Sequence, residues 1–121
     1  MSFNVVFPGT RAAMLEAAAT DSYDRAAQLA SSSSVLVRAA LAANKRTPVG
    51  ILIHLARDSH AAVREASAAN PGVFRSPASI VRLMRDDSSQ VRRALVLNPH
   101  VPVAILESAC DPSVFVDEAV A

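Results

Sequence analysis

Three arginines, each directly following a valine, stand out by type and spacing: Arg38, Arg64 and Arg92. An aspartate stands six residues before two of them, Asp58 before Arg64 and Asp86 before Arg92, and Ser32 holds that place before Arg38. A guanidinium presents a planar fork of donors suited to carboxylates and phosphates. Two readings follow. Either the arginines form an anion-binding stripe, or they form a structural ladder in which each bridges the turn aspartate of its own or the adjacent unit. The constant offset favours the ladder and leaves Arg38 as the most available cation. Lys45, Arg46 and Arg75 fall on loops at equivalent points and would form a basic rim, so the candidate binding set is Arg38, Lys45, Arg46 and Arg75.

Other chemistry is thinner. His54, Asp58 and His60 lie close in sequence, but a metal needs a third or fourth ligand that no spacing supplies. Cys110 stands alone, which excludes an internal disulfide and any cluster built on several thiolates, and Asp111 beside it does nothing to activate a thiolate. No Ser/His/Asp order appears, and Gly9, Gly50 and Gly72 form no phosphate-binding fingerprint. The expectation is therefore no enzyme, no metal and no cofactor.

The elements that position these residues recur along the chain. After each Val-Arg pair an asparagine follows at offset six, Asn44, Asn70 and Asn98, and a proline soon after, Pro48, Pro77 and Pro102. The middle unit reaches its proline only after about three extra residues around Gly72–Arg75. Apolar residues follow the prolines at offsets three, four and seven: Ile51, Leu52 and Leu55; Ile80, Val81 and Met84; Ile105, Leu106 and Ala109. Each unit reads as two short helices. The first begins at the proline, with Thr47 or Ser76 as its cap, and carries one apolar stripe. The second is capped by the aspartate, turns Val63, Ala66 and Ala69 inward, and ends at an asparagine in the left-handed cap conformation. The predicted organisation is one domain over 1–121: an extended strap at Phe3–Phe7 and a capping helix at Arg11–Thr20 within 1–20, then repeats at 21–46, 47–75, 76–100 and 101–121, the last truncated.

Composition agrees with helices. Of 121 residues 24 are alanine, the strongest helix former, and glycine numbers only 3. At 51% hydrophobic and 19% charged, with a net charge of +1, the chain is too apolar for disorder and too balanced for broad attraction to nucleic acid. No apolar run approaches the roughly 20 residues of a membrane span. The first ten residues lack the basic start of a secretory signal, and a cytoplasmic setting is expected.

The combination Thr47-Pro48, Leu52-x-x-Leu55-Ala56-Arg57-Asp58, Val63-Arg64 and Asn70-Pro71 resembles the leucine-rich repeat variant family, and the Asp58-to-Arg64 spacing resembles HEAT-repeat proteins. The resemblance covers about residues 22–121. It implies an all-α fold, a short right-handed α-solenoid of about four two-helix repeats, in which units too small to bury their own stripes become stable by stacking. It implies no single activity, and the cysteine cluster of the family's founding type has no counterpart here. The expected function is a non-catalytic module binding another protein. The alternative is weak nucleic-acid or phosphate binding through the arginine-rich edge, by analogy with HEAT-like DNA glycosylases, although Tyr23 and four phenylalanines make a poor stacking platform. Val114, Phe115, Val116 and Val120 crowd the last unit and predict either a homodimer through that end or an atypical cap.

Overall fold

The computed structural model describes residues 2–109 and is helical throughout its regular elements. Eight α-helices follow one another: α1 (Ser2–Ala19), α2 (Tyr23–Ala30), α3 (Val35–Ala43), α4 (Val49–Leu55), α5 (Ala61–Ala69), α6 (Pro77–Met84), α7 (Ser89–Val96) and α8 (Val103–Ala109), with a 3₁₀ turn at Pro71–Arg75 between α5 and α6. They form two layers. The helices α1, α3, α5 and α7 stack in sequence, each on the last, and α2, α4, α6 and α8 form the facing layer. This is a short α-solenoid.

The apolar stripes explain the layering. Val37, Val63 and Val91, the valines of the Val-Arg pairs, are all essentially inaccessible to solvent. The first-helix stripe is buried at Ile51, Leu52 and Leu55 of α4, and at Ile80, Leu83 and Met84 of α6; Val81, expected inward, is exposed. Helix α4 serves two core clusters at once. Ile51 and Leu55 pack with Val37, Leu41 and Val63, whereas Leu52 and Ala56 pack with Val73, Ile80 and Leu83. On α5 the inward positions are Val63, Ser67 and Ala68, and Ala69 faces solvent. Ser67 is accommodated because its hydroxyl donates to the Val63 carbonyl one turn back.

Several local expectations are corrected. Residues 2–19 form a single helix, so Phe3–Phe7 is no extended strap. Ser76 caps α6 by accepting from the Ser79 amide, and Ser22 and Ser34 cap α2 and α3 in the same way. Thr47 does not cap α4; its hydroxyl donates to the Leu41 carbonyl at 2.6 Å, closing the turn behind it. Asp58 and Asp86 each accept from the amide two residues on, His60 and Ser88, and so shape the turn before the helix rather than capping its first amides. The extra residues of the middle unit form the 3₁₀ turn, whose Val73 is buried.

The asparagines depart furthest from expectation. Asn44 and Asn70 have extended backbones, φ −72° for both, and no residue other than glycine has a positive φ among the described residues. Each is buried and reaches back one unit. Asn44 Nδ2 donates to the carbonyls of Ala17 and Thr20, Asn70 Nδ2 to those of Ala42 and Asn44, and Asn98 Nδ2 to those of Ala68 and Asn70, all at 2.7–3.0 Å. Their Oδ1 atoms accept from the amides of Arg46, Gly72 and His100, two residues on. The side chain thus satisfies the end carbonyls of the preceding second helix, which have no intrahelical partner. Replacing Asn70 by Ala orphans two buried carbonyls and an amide at about 1–3 kcal/mol each before relaxation. Asn70→Ala is therefore expected to lower unfolding stability by at least about 3 kcal/mol in urea titration, whereas exposed Ala69→Ser should change it by less than about 0.5 kcal/mol.

Candidate functional site

The Val-Arg arginines occupy the opposite edge of the stack from the asparagines, at the turns joining first to second helices. All three make one attachment to their own turn, and Arg38 and Arg64 make a second to the next unit. In each, Nη1 donates to the carbonyl six residues back in its own turn: Arg38 to Ser32 at 2.7 Å, Arg64 to Asp58 at 2.8 Å, and Arg92 to Asp86. In Arg38 and Arg64, Nε and Nη2 reach forward to the next unit's aspartate. Arg38 grips Asp58 at 2.8 and 3.3 Å, and Arg64 grips Asp86 at 2.7 and 3.1 Å. The result is a continuous relay from Arg38 through Asp58, Arg64 and Asp86 to Arg92. By the same register the next position is Asp111, which lies outside the described residues, as do Cys110 and the Val114–Val120 segment expected to dimerise.

This arrangement corrects the place of Arg38. Ser32 lacks a carboxylate, but the carboxylate comes from the following unit, so Arg38 is not an available cation. Its side chain is 12% exposed and that of Asp58 9%. Burial, the largest single influence on Asp58, pushes its carboxyl up, yet the hydrogen bond from Arg38, the His60 amide and the Arg38 charge together hold it below the ordinary aspartate value. Asp86 follows the same balance: burial raises it, and Arg64 and the Ser88 amide bring it down overall. Arg64 is raised, chiefly by its hydrogen bond to Asp86.

The candidate basic set does not converge. Lys45, Arg46 and Arg75 are exposed at the asparagine edge, separated from Arg38 by the length of α3. Arg46 lies 3.8 Å from Asp21 in an exposed pair, and the Arg75 guanidinium sits 5.7 Å from the centre of the Phe74 ring. His54 is exposed on α4 while Asp58 is taken up by Arg38, with His60 Nδ1 3.7 Å away. Among the described residues no group of three or more His, Cys, Asp or Glu side chains is placed to hold a metal.

Sequence reasoning missed a groove in the first-helix layer. Helix α2 packs on α4 and α6 on α8, but α4 and α6 meet through the 3₁₀ turn, which props them apart. Gly72 makes the close approach possible: a Cβ there would lie 3.3 Å from Asn70 Oδ1 and 3.5 Å from a Leu52 methyl. Between the two helices runs an open groove of about 770 Å³, with Ile53 and Arg57 on one wall and Val81, Arg82 and Arg85 on the other. The 28-residue interval from Arg64 to Arg92, against 26 from Arg38 to Arg64, is its one signal in the sequence.

No protein-family model matches this chain, and neither a curated protein nor a solved structure does. No helix among the described residues is long and apolar enough to cross a membrane.

Two outcomes follow from the relay. A double-mutant cycle on Arg38 and Asp58 should give a favourable coupling of about 1–3 kcal/mol, because the two groups share a mostly buried bidentate contact. The cycle on Asp58 and Arg64, which share a backbone-carbonyl hydrogen bond and a weaker attraction between their charges, should give a smaller favourable coupling than Arg38 and Asp58 do. The second outcome concerns acid. Both aspartates have folded values below their unfolded ones, so their stabilisation is fully present above the unfolded carboxyl value of about 4 and is lost as pH falls through the lowered folded values. The stability gap between wild type and Asp58→Asn or Asp86→Asn should therefore be widest near pH 7 and shrink below about pH 4. Urea unfolding across that range reads it directly, and a constant gap would contradict the electrostatic origin.

Proposed function

We propose that this chain is a non-catalytic, leucine-rich-repeat-variant-like module that binds another protein through the outer face of its second-helix layer. The supporting observation is the character of that face. Positions 36, 62 and 90 are equivalent across α3, α5 and α7, as are 43, 69 and 97. Leu36, Ala43, Ala62, Ala69 and Leu97 are all exposed there, with Gln90 completing the first row. Between them Ala39 and Ala40 are matched by Glu65 and Ala66, then by Arg93 and Ala94. Charge is sparse, as in the centres of protein interfaces, and small side chains allow close approach of a partner. Contiguous apolar surface of this kind marks interaction sites in folded proteins.

The alternative, nucleic-acid or phosphate binding through Arg38, Lys45, Arg46 and Arg75, draws no support from the geometry, since Arg38 is spent in the relay at the far edge. A cytoplasmic setting suits the lone cysteine and belongs to the same proposal.

The test is crosslinking mass spectrometry in the native host, comparing wild type with Ala62→Glu/Ala69→Glu. Both positions are exposed, so circular dichroism and melting should stay near wild type. The expected result is a partner crosslinked near α3, α5 and α7 in the wild type and lost in the variant. The same partner retained by the variant, or crosslinks confined to other surfaces, would refute the assignment.

A further inference from the structure

We propose that the groove between α4 and α6 is a second docking site, one that receives an extended acidic segment of a partner protein. The first argument is unpaired charge. Arg57, Arg82 and Arg85 are exposed around the groove, and none makes an ion pair or side-chain hydrogen bond with another described residue. Two of the three aspartates beside them are already engaged, Asp58 by Arg38 and Asp86 by Arg64, while Asp87 is 95% exposed and lies 3.4 Å from Arg64 Nη2. The relay thus neutralises Asp58 and Asp86 from behind, and three exposed guanidinium groups outnumber the one exposed carboxylate.

The second argument is spacing. Arg57 and Arg85 are repeat equivalents, 28 residues apart, as are Ile53 and Val81. A chain crossing from α4 to α6 therefore meets the same pair, an aliphatic side chain and an arginine, twice. Packed helices lie about 8–10 Å apart, and the 3₁₀ turn widens that step. An extended chain advances about 3.3 Å per residue, so carboxylates three to four residues apart would reach successive arginines. Arg82 lies one turn before Arg85 on α6 and supplies a further contact on that wall. Ile53 and Val81, each about one-third exposed, give the intervening residues an apolar surface. Guanidinium groups suit this ligand because their planar fork matches a carboxylate in bidentate fashion.

The site is separate from the second-helix face of the proposed function, and the experiment keeps the two apart. The probe is a fluorescein-labelled twelve-residue peptide with glutamate at every third position among alanine and proline, read by anisotropy at low and moderate salt. Its control replaces each glutamate by lysine. Saturable, salt-sensitive binding of the acidic peptide is expected, weakened tenfold or more by Arg82→Gln/Arg85→Gln and by Arg57→Gln. Lys45→Gln/Arg46→Gln at the other edge and Ala62→Glu/Ala69→Glu on the other layer should leave it unchanged. Absence of saturable binding, wild-type affinity in the Arg57 or Arg82/Arg85 variants, or tighter arginine-dependent binding of a DNA duplex of similar length would each overturn the proposal. Because the three arginines are exposed and make no ion pair with another described residue, their variants should melt as the wild type does, so lost binding reports the groove and not the fold.

Discussion

The constraint on which this molecule depends is that a short helix pair leaves polar groups at its ends that it cannot satisfy itself. Two side-chain devices meet it, one on each edge of the stack. On one edge a buried asparagine supplies both hydrogens of its amide to carbonyls of the unit before it. On the other an arginine fastens its own turn and then grips the carboxylate of the unit after it. The core between the layers is built largely from alanine, valine and leucine, each contributing modest area, and supplies cohesion without much directional information. The polar edges supply the register. A sliding or rotated neighbour would leave buried carbonyls without donors and a mostly buried aspartate without its guanidinium, a far larger penalty than misplacing one methyl group.

That division of labour explains what was legible in the sequence. The layering was, because the repeating Val-Arg valines and the aliphatic offsets are periodic, and Val37, Val63 and Val91 all lie inside. The partners of the recurring polar residues were not. Asn70 finds its acceptors 26 and 28 residues back, and Arg38 its carboxylate 20 residues ahead. A recurrence interval says that a residue matters once per unit, but not whether it looks inward, backward or forward. Spacing alone therefore points to a local backbone role for the asparagines and leaves Arg38 without a partner. Position 32 misled for the same reason: the arginine needs only a backbone carbonyl from its own turn, which Ser32 provides as well as an aspartate would.

The groove illustrates a different limit. Three additional residues in the middle unit look like tolerated loop length. Their effect is mechanical: they wind into a 3₁₀ turn, fill the seam with Val73 and hold α4 away from α6. An irregularity in the period thus becomes a feature of the surface, while the second-helix layer on the other side keeps its regular stacking of α3, α5 and α7.

The two edge devices also give the stack a polarity. The amide hydrogens of Asn44, Asn70 and Asn98 on one side point toward the start of the chain, and the guanidinium groups of Arg38 and Arg64 on the other point toward its end. Every interior module therefore presents the same socket and the same plug, whatever its position. A stretch cut at corresponding points, such as 47–75, carries a complete set of both, so arrays of this type can lengthen by whole-module duplication without inventing a new joint.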